Sequence, residues 1–196
     1  MKRILFVVML ALAVSCQSEE QSKGDTLYAK KDFKGAVEAY NEYLKLHPSH
    51  VKSLYNRGRS YEELNQYDKA LKDFEKVLDI DGKNTSAMLS LAKYYYRAEN
   101  YEQSLYFAEL AIKEKDDLAE GYFWVGRAAH HMGEFPKARS GYNNAINLDR
   151  QYGEAFLYRG ALSMQEKKST GACQDFKQAA SLGVKEAESA VSKYCK

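Results

Sequence analysis

Four histidines are the residues best suited to acid–base catalysis or metal binding at neutral pH. His47 and His50 flank a predicted turn, whereas His130 and His131 are neighbours on a predicted helix. Adjacent residues on a helix point about 100° apart, which is a poor arrangement for sharing one metal ion. No acid or base stands at hydrogen-bond spacing from any of the four. We therefore interpret them as surface or groove residues.

Catalytic and phosphate-binding motifs are absent from the sequence. It has no Gly-rich phosphate loop, nucleophile elbow, HExxH motif or paired CxxC motif. Its carboxylate pairs, such as Glu62-Glu63 and Asp116-Asp117, are typical of solvated helix faces and turns. We predict that the protein is not an enzyme, needs no cofactor and holds no metal ion.

Composition and charge narrow the partner classes. The chain has 196 residues, of which 45% are hydrophobic and 29% charged, with 2 Pro. This composition favours a folded, helix-rich protein over a disordered one. Lys2 and Arg3 supply the whole formal charge of +2, so the rest of the chain has equal numbers of basic and acidic residues. A neutral chain has no general attraction for nucleic acid, which we exclude as a partner.

The elements that must position any binding residue repeat every 34 residues. Three positions of the repeat are occupied by residues of one kind in nearly every unit. Two of them carry small residues: Gly24, Gly58, Ala92, Gly126 and Gly160 at the first, and Ala36, Ala70, Ser104, Ala138 and Ala172 at the second. The third position is mostly aromatic, with Tyr40, Phe74, Ala108, Tyr142 and Phe176. Small residues are needed where paired helices approach closely, and aromatic rings fill the space beside them. Each 34-residue unit is therefore predicted to form two helices, which bury a core only by stacking on neighbouring units.

This pattern resembles the tetratricopeptide repeat, in which a small residue is followed at fixed offsets by A-x₃-F. The resemblance implies an all-α fold, an α-solenoid of five helix-turn-helix units at residues 17–50, 51–84, 85–118, 119–152 and 153–186. Leu182-Gly183 predicts a helix end, after which residues 185–196 form a C-terminal capping helix.

The resemblance also implies a concave groove lined by the first helix of each unit. Groove positions outside the three core positions of the repeat carry aromatic, basic and amide side chains: Tyr55, Asn56, Arg59, Lys93, Tyr96, Phe123, Trp124, Arg127 and Tyr158. Aromatic residues and Arg are enriched at protein-binding hot spots, so we expect a protein or peptide partner here. The alternative is that some of these rings, particularly Tyr96 and Phe123, pack against the neighbouring repeat. The Lys-Asn-Arg clamp of chaperone-type repeats is matched only at Asn56.

The N-terminal segment is typical of a secretion signal. Residues 1–15 combine Lys2 and Arg3 with an apolar stretch too short to span a bilayer comfortably. The segment 12–16, Leu-Ala-Val-Ser-Cys, resembles a bacterial lipobox, although Ala13 stands where Leu is usual. The resemblance implies lipidation, such as palmitate, at Cys16, followed by a tether over 16–22. The alternative is ordinary cleavage beside an unmodified cysteine.

An exported chain with Cys16 lipidated is left with two cysteines, Cys173 and Cys195. We predict that they form a disulfide bond that fixes the capping helix to the last repeat. The alternative is two buried thiols.

These observations together predict a non-catalytic scaffold in a bacterial cell envelope, anchored by lipid to the outer membrane on its periplasmic or surface face. Gln17 and the following acidic residues resemble the surface-export signal of Bacteroidota-type lipoproteins, with a plain acidic tether as the alternative. By analogy with other exported repeat lipoproteins, an accessory role in envelope assembly or secretion is expected. Two other functions stay open: a glycan- or peptidoglycan-binding protein, and a structural spacer.

Overall fold

Helices form all the regular structure in the part of the chain that the computed structural model describes, which is residue 21 and residues 23–195. Three of the predictions, the signal peptide at 1–15, lipidation at Cys16 and most of the tether at 16–22, lie outside the described residues. The described chain divides into two compact units, the first ending at Ala87 and the second beginning at Met88.

The first unit contains helices α1 to α4 in antiparallel pairs. A helical stretch at 23–29 is α1, and the others are α2 (Phe33–Leu46), α3 (Val51–Glu63) and α4 (Tyr67–Ile80). Helix α3 packs on both α2 and α4. A Cβ added at Gly58 on α3 would lie 2.7 Å from the Phe74 ring on α4, so the close approach of this pair requires glycine.

The second unit contains most of one helix, which begins before Met88, followed by six complete helices. They are α5 (Thr85–Arg97), α6 (Tyr101–Glu114), α7 (Ala119–His131), α8 (Phe135–Leu148), α9 (Gly153–Gln165), α10 (Ser169–Ser181) and α11 (Lys185–Tyr194). The same close approach recurs here, because a Cβ at Gly126 on α7 would lie 2.6 Å from the fully buried Tyr142 on α8. The core between α7, α8 and α9 includes Ala138 and Leu162.

Tight turns of one kind join the two helices of each pair. The turn residues Lys31, Asn65, Glu99, Gly133 and Lys167 all have a positive φ, and they stand 34 residues apart. Only one of the five is glycine, so the left-handed backbone of this turn is imposed by helix packing rather than by residue type. Asp32 and Asn100, each directly after its turn, cap the next helix by accepting a hydrogen bond from the backbone N–H of Gly35 and Gln103.

Each unit also contains one buried Arg–Asp–Asn set that ties three helices together. In the first unit, Arg57 on α3 donates two hydrogen bonds of 2.6 and 2.8 Å to Asp73 on α4 and one of 2.8 Å to Asn41 on α2. In the second unit, Arg159 on α9 donates to Asp175 on α10 and to Asn143 on α8 in the same way. In each set the charge of the arginine is neutralised by the aspartate of the same set.

The C-terminal helix α11 covers the end of the second unit. Its Ala187 is fully buried, and the Tyr194 ring lies 6.2 Å from the Phe176 ring of α10. Cys173 on α10 and Cys195, directly after α11, form a disulfide bond with their Cα atoms 5.4 Å apart. The predicted pairing is therefore present in the structure, and it holds the C-terminal end of α11 against α10.

Candidate partner-binding groove

The first helices of the pairs in the second unit, α5, α7 and α9, bring three predicted groove residues together. The guanidinium carbon of Arg127 on α7 lies 3.6 Å from the centre of the Tyr158 ring on α9 and 4.6 Å from that of Tyr96 on α5. Arg127 also donates a hydrogen bond to the Tyr96 hydroxyl. We call Tyr96, Arg127 and Tyr158 the Arg127 clasp. Contact between a guanidinium and an aromatic ring at such distances contributes about 0.5 to 2 kcal/mol per ring.

The charge of the clasp is not neutralised by the residues that the structure describes. Arg127 is half-buried, and no described carboxylate lies within ion-pair distance of it. Lys93 on α5, one turn before Tyr96, has no ion pair within the described chain either. By contrast, Arg139 pairs with Glu166 and Arg159 with Asp175. Two cations on the α5/α7/α9 face are therefore open to an anionic ligand.

Trp124 and Phe123 are next to the clasp but differ in exposure. The Trp124 ring is half-buried, lies 5.3 Å from the Tyr96 ring, and its Nε1 donates to Glu120 at 3.3 Å. Phe123 is 5% exposed and packs in the core against Tyr152, with ring centres 4.9 Å apart. The prediction of Phe123 as a groove residue is thus wrong, because its ring faces the neighbouring helices rather than a partner.

The predicted groove residues of the first unit are occupied by their own neighbours. Asn56 donates a 3.0 Å hydrogen bond to Asp25, which also accepts from Lys52 and Tyr40. Arg59 is paired with Glu62 at 3.1 Å. The Tyr55 ring lies 5.7 Å from that of Phe74.

Asp25 is the residue of this set that the sequence analysis missed. Burial raises its pKa, but the hydrogen bonds that it accepts outweigh burial and hold the pKa below its ordinary 3.8. Asp25 therefore stays ionised and satisfies the polar groups of the first unit internally. Its position one repeat before Arg59, at the same place in the 34-residue unit, was the available signal.

Two histidines flank the clasp at the end of α7. The His131 ring stacks on Tyr101 with centres 4.5 Å apart and meets Tyr96 edge-on at 5.3 Å. Removal of water by this packing, together with the positive charge of Arg127, lowers the pKa of His131 from its ordinary 6.5. His130 instead contacts the Tyr142 hydroxyl at 3.2 Å and Gln165 at 2.9 Å.

A cavity of about 440 Å³ opens beside the clasp on the α9 side. Its wall combines residues of α9 with the segment that leads into α11: Gln151, Gly153, Glu154, Leu157, Tyr158, Leu182, Gly183, Val184, Lys185 and Glu186. Tyr158 belongs to both the cavity and the clasp. The contribution of α11 to this surface was not anticipated from the sequence.

Neither a membrane-spanning helix nor a metal-binding cluster is found in the described part of the chain. No helix there is long and apolar enough to cross a bilayer. No group of three or more His, Cys, Asp or Glu side chains in that part is arranged to hold a metal ion.

Comparison with known proteins identifies the repeat. Residues 23–50 and 51–84 each match a model of the tetratricopeptide repeat. Tetratricopeptide repeat protein 1 of Schizosaccharomyces pombe is 29% identical over 117 residues, which are 58% of this chain and 11% of that protein. The chain spans less than half the length of the curated relatives that it matches first.

Solved structures extend the likeness over most of the chain. The crystal structure of MamA is 24% identical with a TM-score of 0.74, covering 91% of this chain and 94% of that one. YrrB, described as a tetratricopeptide-repeat protein with an unusual peptide-binding site, is 20% identical with a TM-score of 0.69, covering 83% and 84%. These likenesses confirm the predicted all-α repeat fold. The chain therefore carries tetratricopeptide repeats at residues 23–84 and has the fold of tetratricopeptide-repeat proteins.

Proposed function

We propose that this chain is a non-catalytic scaffold that binds a peptide segment of another protein on the α5/α7/α9 face of its second unit. The observation that carries the proposal is the Arg127 clasp, a half-buried guanidinium that contacts two tyrosine rings and has no ion-pair partner among the described residues. Arg and Tyr in a fixed geometry are typical of binding hot spots. The peptide-binding site described for YrrB shows that a protein of this fold can hold a peptide.

Glycan binding is less well supported by the geometry of the face. Sugars stack on free aromatic faces, but the guanidinium of Arg127 covers one face of the Tyr158 ring at 3.6 Å. A purely structural spacer would have no use for an unpaired, half-buried cation, because burying a charge without a partner is unfavourable.

Site-specific photocrosslinking tests the proposal. A photoreactive amino acid is placed at Lys93, on the α5/α7/α9 face, and in a control at Lys113, an exposed position near the end of α6. We expect a discrete crosslinked protein from position 93 that is absent from position 113 and lost when Arg127→Gln is added. Equal crosslinking from both positions would contradict the proposal.

We further propose that the scaffold is a lipid-anchored envelope protein, which rests on the sequence pattern of residues 1–16. Two or three acyl chains at Cys16 would give stable membrane attachment. Mass analysis of the N-terminal peptide and fractionation of Cys16→Ala test this. An unmodified cysteine, or membrane attachment that survives Cys16→Ala, would refute it.

A further inference from the structure

We infer that the segment bound on the α5/α7/α9 face is an acidic peptide, with a carboxylate on Arg127 and an apolar side chain in the neighbouring cavity. The inference rests on the proposed function and specifies the chemistry of its partner. Three features of the second unit support it: the free hydrogen-bond donors of the clasp, the distribution of charge along the face, and the position of the cavity.

The clasp leaves most donors of Arg127 unused. A guanidinium carries five N–H groups, and the described structure shows one hydrogen bond from Arg127, to the Tyr96 hydroxyl. The Tyr158 ring lies against the guanidinium carbon and the Tyr96 hydroxyl accepts from one N–H group, so the rest of the guanidinium edge has no hydrogen-bond partner among the described residues. A carboxylate fits such an edge through two parallel hydrogen bonds, which are strengthened where water is partly excluded.

Charge is separated along the face. Lys93 and Arg127, both without ion pairs in the described chain, lie on α5 and α7. Glu154, Glu186 and Lys185 lie on the cavity wall, so two carboxylates face one ammonium group there. A ligand carboxylate is therefore favoured at the clasp over the cavity, which sets the direction of the peptide.

The cavity takes the second side chain. Leu157, Leu182 and Val184 form the apolar part of its otherwise polar wall, and its volume of about 440 Å³ lies in the range of ordinary ligand pockets. Because Tyr158 forms part of both sites, the carboxylate and the apolar group must come from residues close together in the peptide. In an extended peptide, neighbours one or two positions apart are separated by about 3 to 7 Å.

A capped peptide library tests the inference on the purified chain. Nonapeptides with acetylated and amidated ends are selected, and the affinity of the selected peptides is measured by the fluorescence of Trp124, the single Trp of the chain. Four variants are compared with the unchanged protein: Arg127→Gln, Arg127→Lys, Leu157→Asn and the control Arg150→Gln, which removes an exposed cation between α8 and α9. Circular dichroism verifies the fold of each variant.

We expect selection of Asp or Glu with a Leu, Ile, Phe or Met one or two positions away. Arg127→Gln should weaken the selected peptide at least about tenfold and abolish the acidic preference, since charged hydrogen bonds are the strong ones. Arg127→Lys should give an intermediate loss. Leu157→Asn should abolish only the apolar preference, and Arg150→Gln should change affinity less than about twofold.

Two outcomes separate this inference from the proposed function. If peptides are selected without an acidic preference, or if a Glu→Gln change in the peptide leaves affinity unchanged, the inference fails and peptide binding stands. If the unchanged protein selects no peptide and position 93 gives no crosslink, both fail.

Discussion

Removal of Asp73 tests the reasoning about the buried Arg–Asp–Asn sets. The Asp73 side chain is 7% exposed and that of Arg57 is 20% exposed. Asp73→Ala leaves the guanidinium desolvated, with Asn41 as its remaining partner. Breaking a buried pair from one side costs about 3 to 5 kcal/mol, and the partial exposure of Arg57 favours the lower end. We expect the free energy of unfolding of the first unit to fall by about 3 kcal/mol.

The chain itself supplies the matched control. One repeat later, the positions of Arg57 and Asp73 are occupied by Leu91 and Phe107. The double change Arg57→Leu with Asp73→Phe removes both charges together, and replacing a buried pair by apolar groups is often close to neutral. The double variant should lie within about 1 kcal/mol of the unchanged protein.

Urea unfolding followed by circular dichroism measures both variants. A loss below about 1 kcal/mol for Asp73→Ala would show that the buried pair is solvated in solution. A double variant as unstable as the single one would show that the geometry of the pair, rather than the unpaired charge, is what matters.

Three further predictions concern stability. Gly126→Ala should cost about 1 to 3 kcal/mol through its clash with a buried ring, whereas Gly171→Ala, with open space around it, should gain up to about 1 kcal/mol in thermal unfolding. Changing Cys173 and Cys195 together to Ser should cost about 3 kcal/mol, and reductant should reproduce the loss. Because the folded-state pKa of His131 is below 6.5, the unfolded chain binds more protons there, so stability should fall as pH drops through about 6.5, less so in His131→Gln.

The repeat could be predicted from the sequence because helix packing requires small and aromatic residues at a fixed spacing. Gly58 and Gly126 stand where a Cβ would meet an aromatic ring, so residue type follows directly from helix contact. The backbone conformation of the turns could not be predicted in the same way. Lys31, Glu99 and Lys167 adopt positive φ values that their side chains do not favour, and only the completed packing imposes that backbone.

The candidate site could be predicted only in part. Repeat position places Tyr96, Arg127 and Tyr158 on first helices, but it does not show that the guanidinium contacts both rings. The same reasoning assigned Phe123 to the groove, where the structure buries it. Side-chain direction within a helix decides such cases, and it depends on the crossing of neighbouring helices, which a single sequence does not specify.

Affinity capture from crosslinked, detergent-solubilised envelopes is the most direct test of partner binding on the α5/α7/α9 face. The unchanged chain is compared with Arg127→Gln and with the charge-matched control Arg150→Gln. We expect that one envelope protein is enriched by the unchanged chain and by Arg150→Gln and is lost with Arg127→Gln. The same set of proteins captured by all three chains would show that the Arg127 clasp is not the binding site.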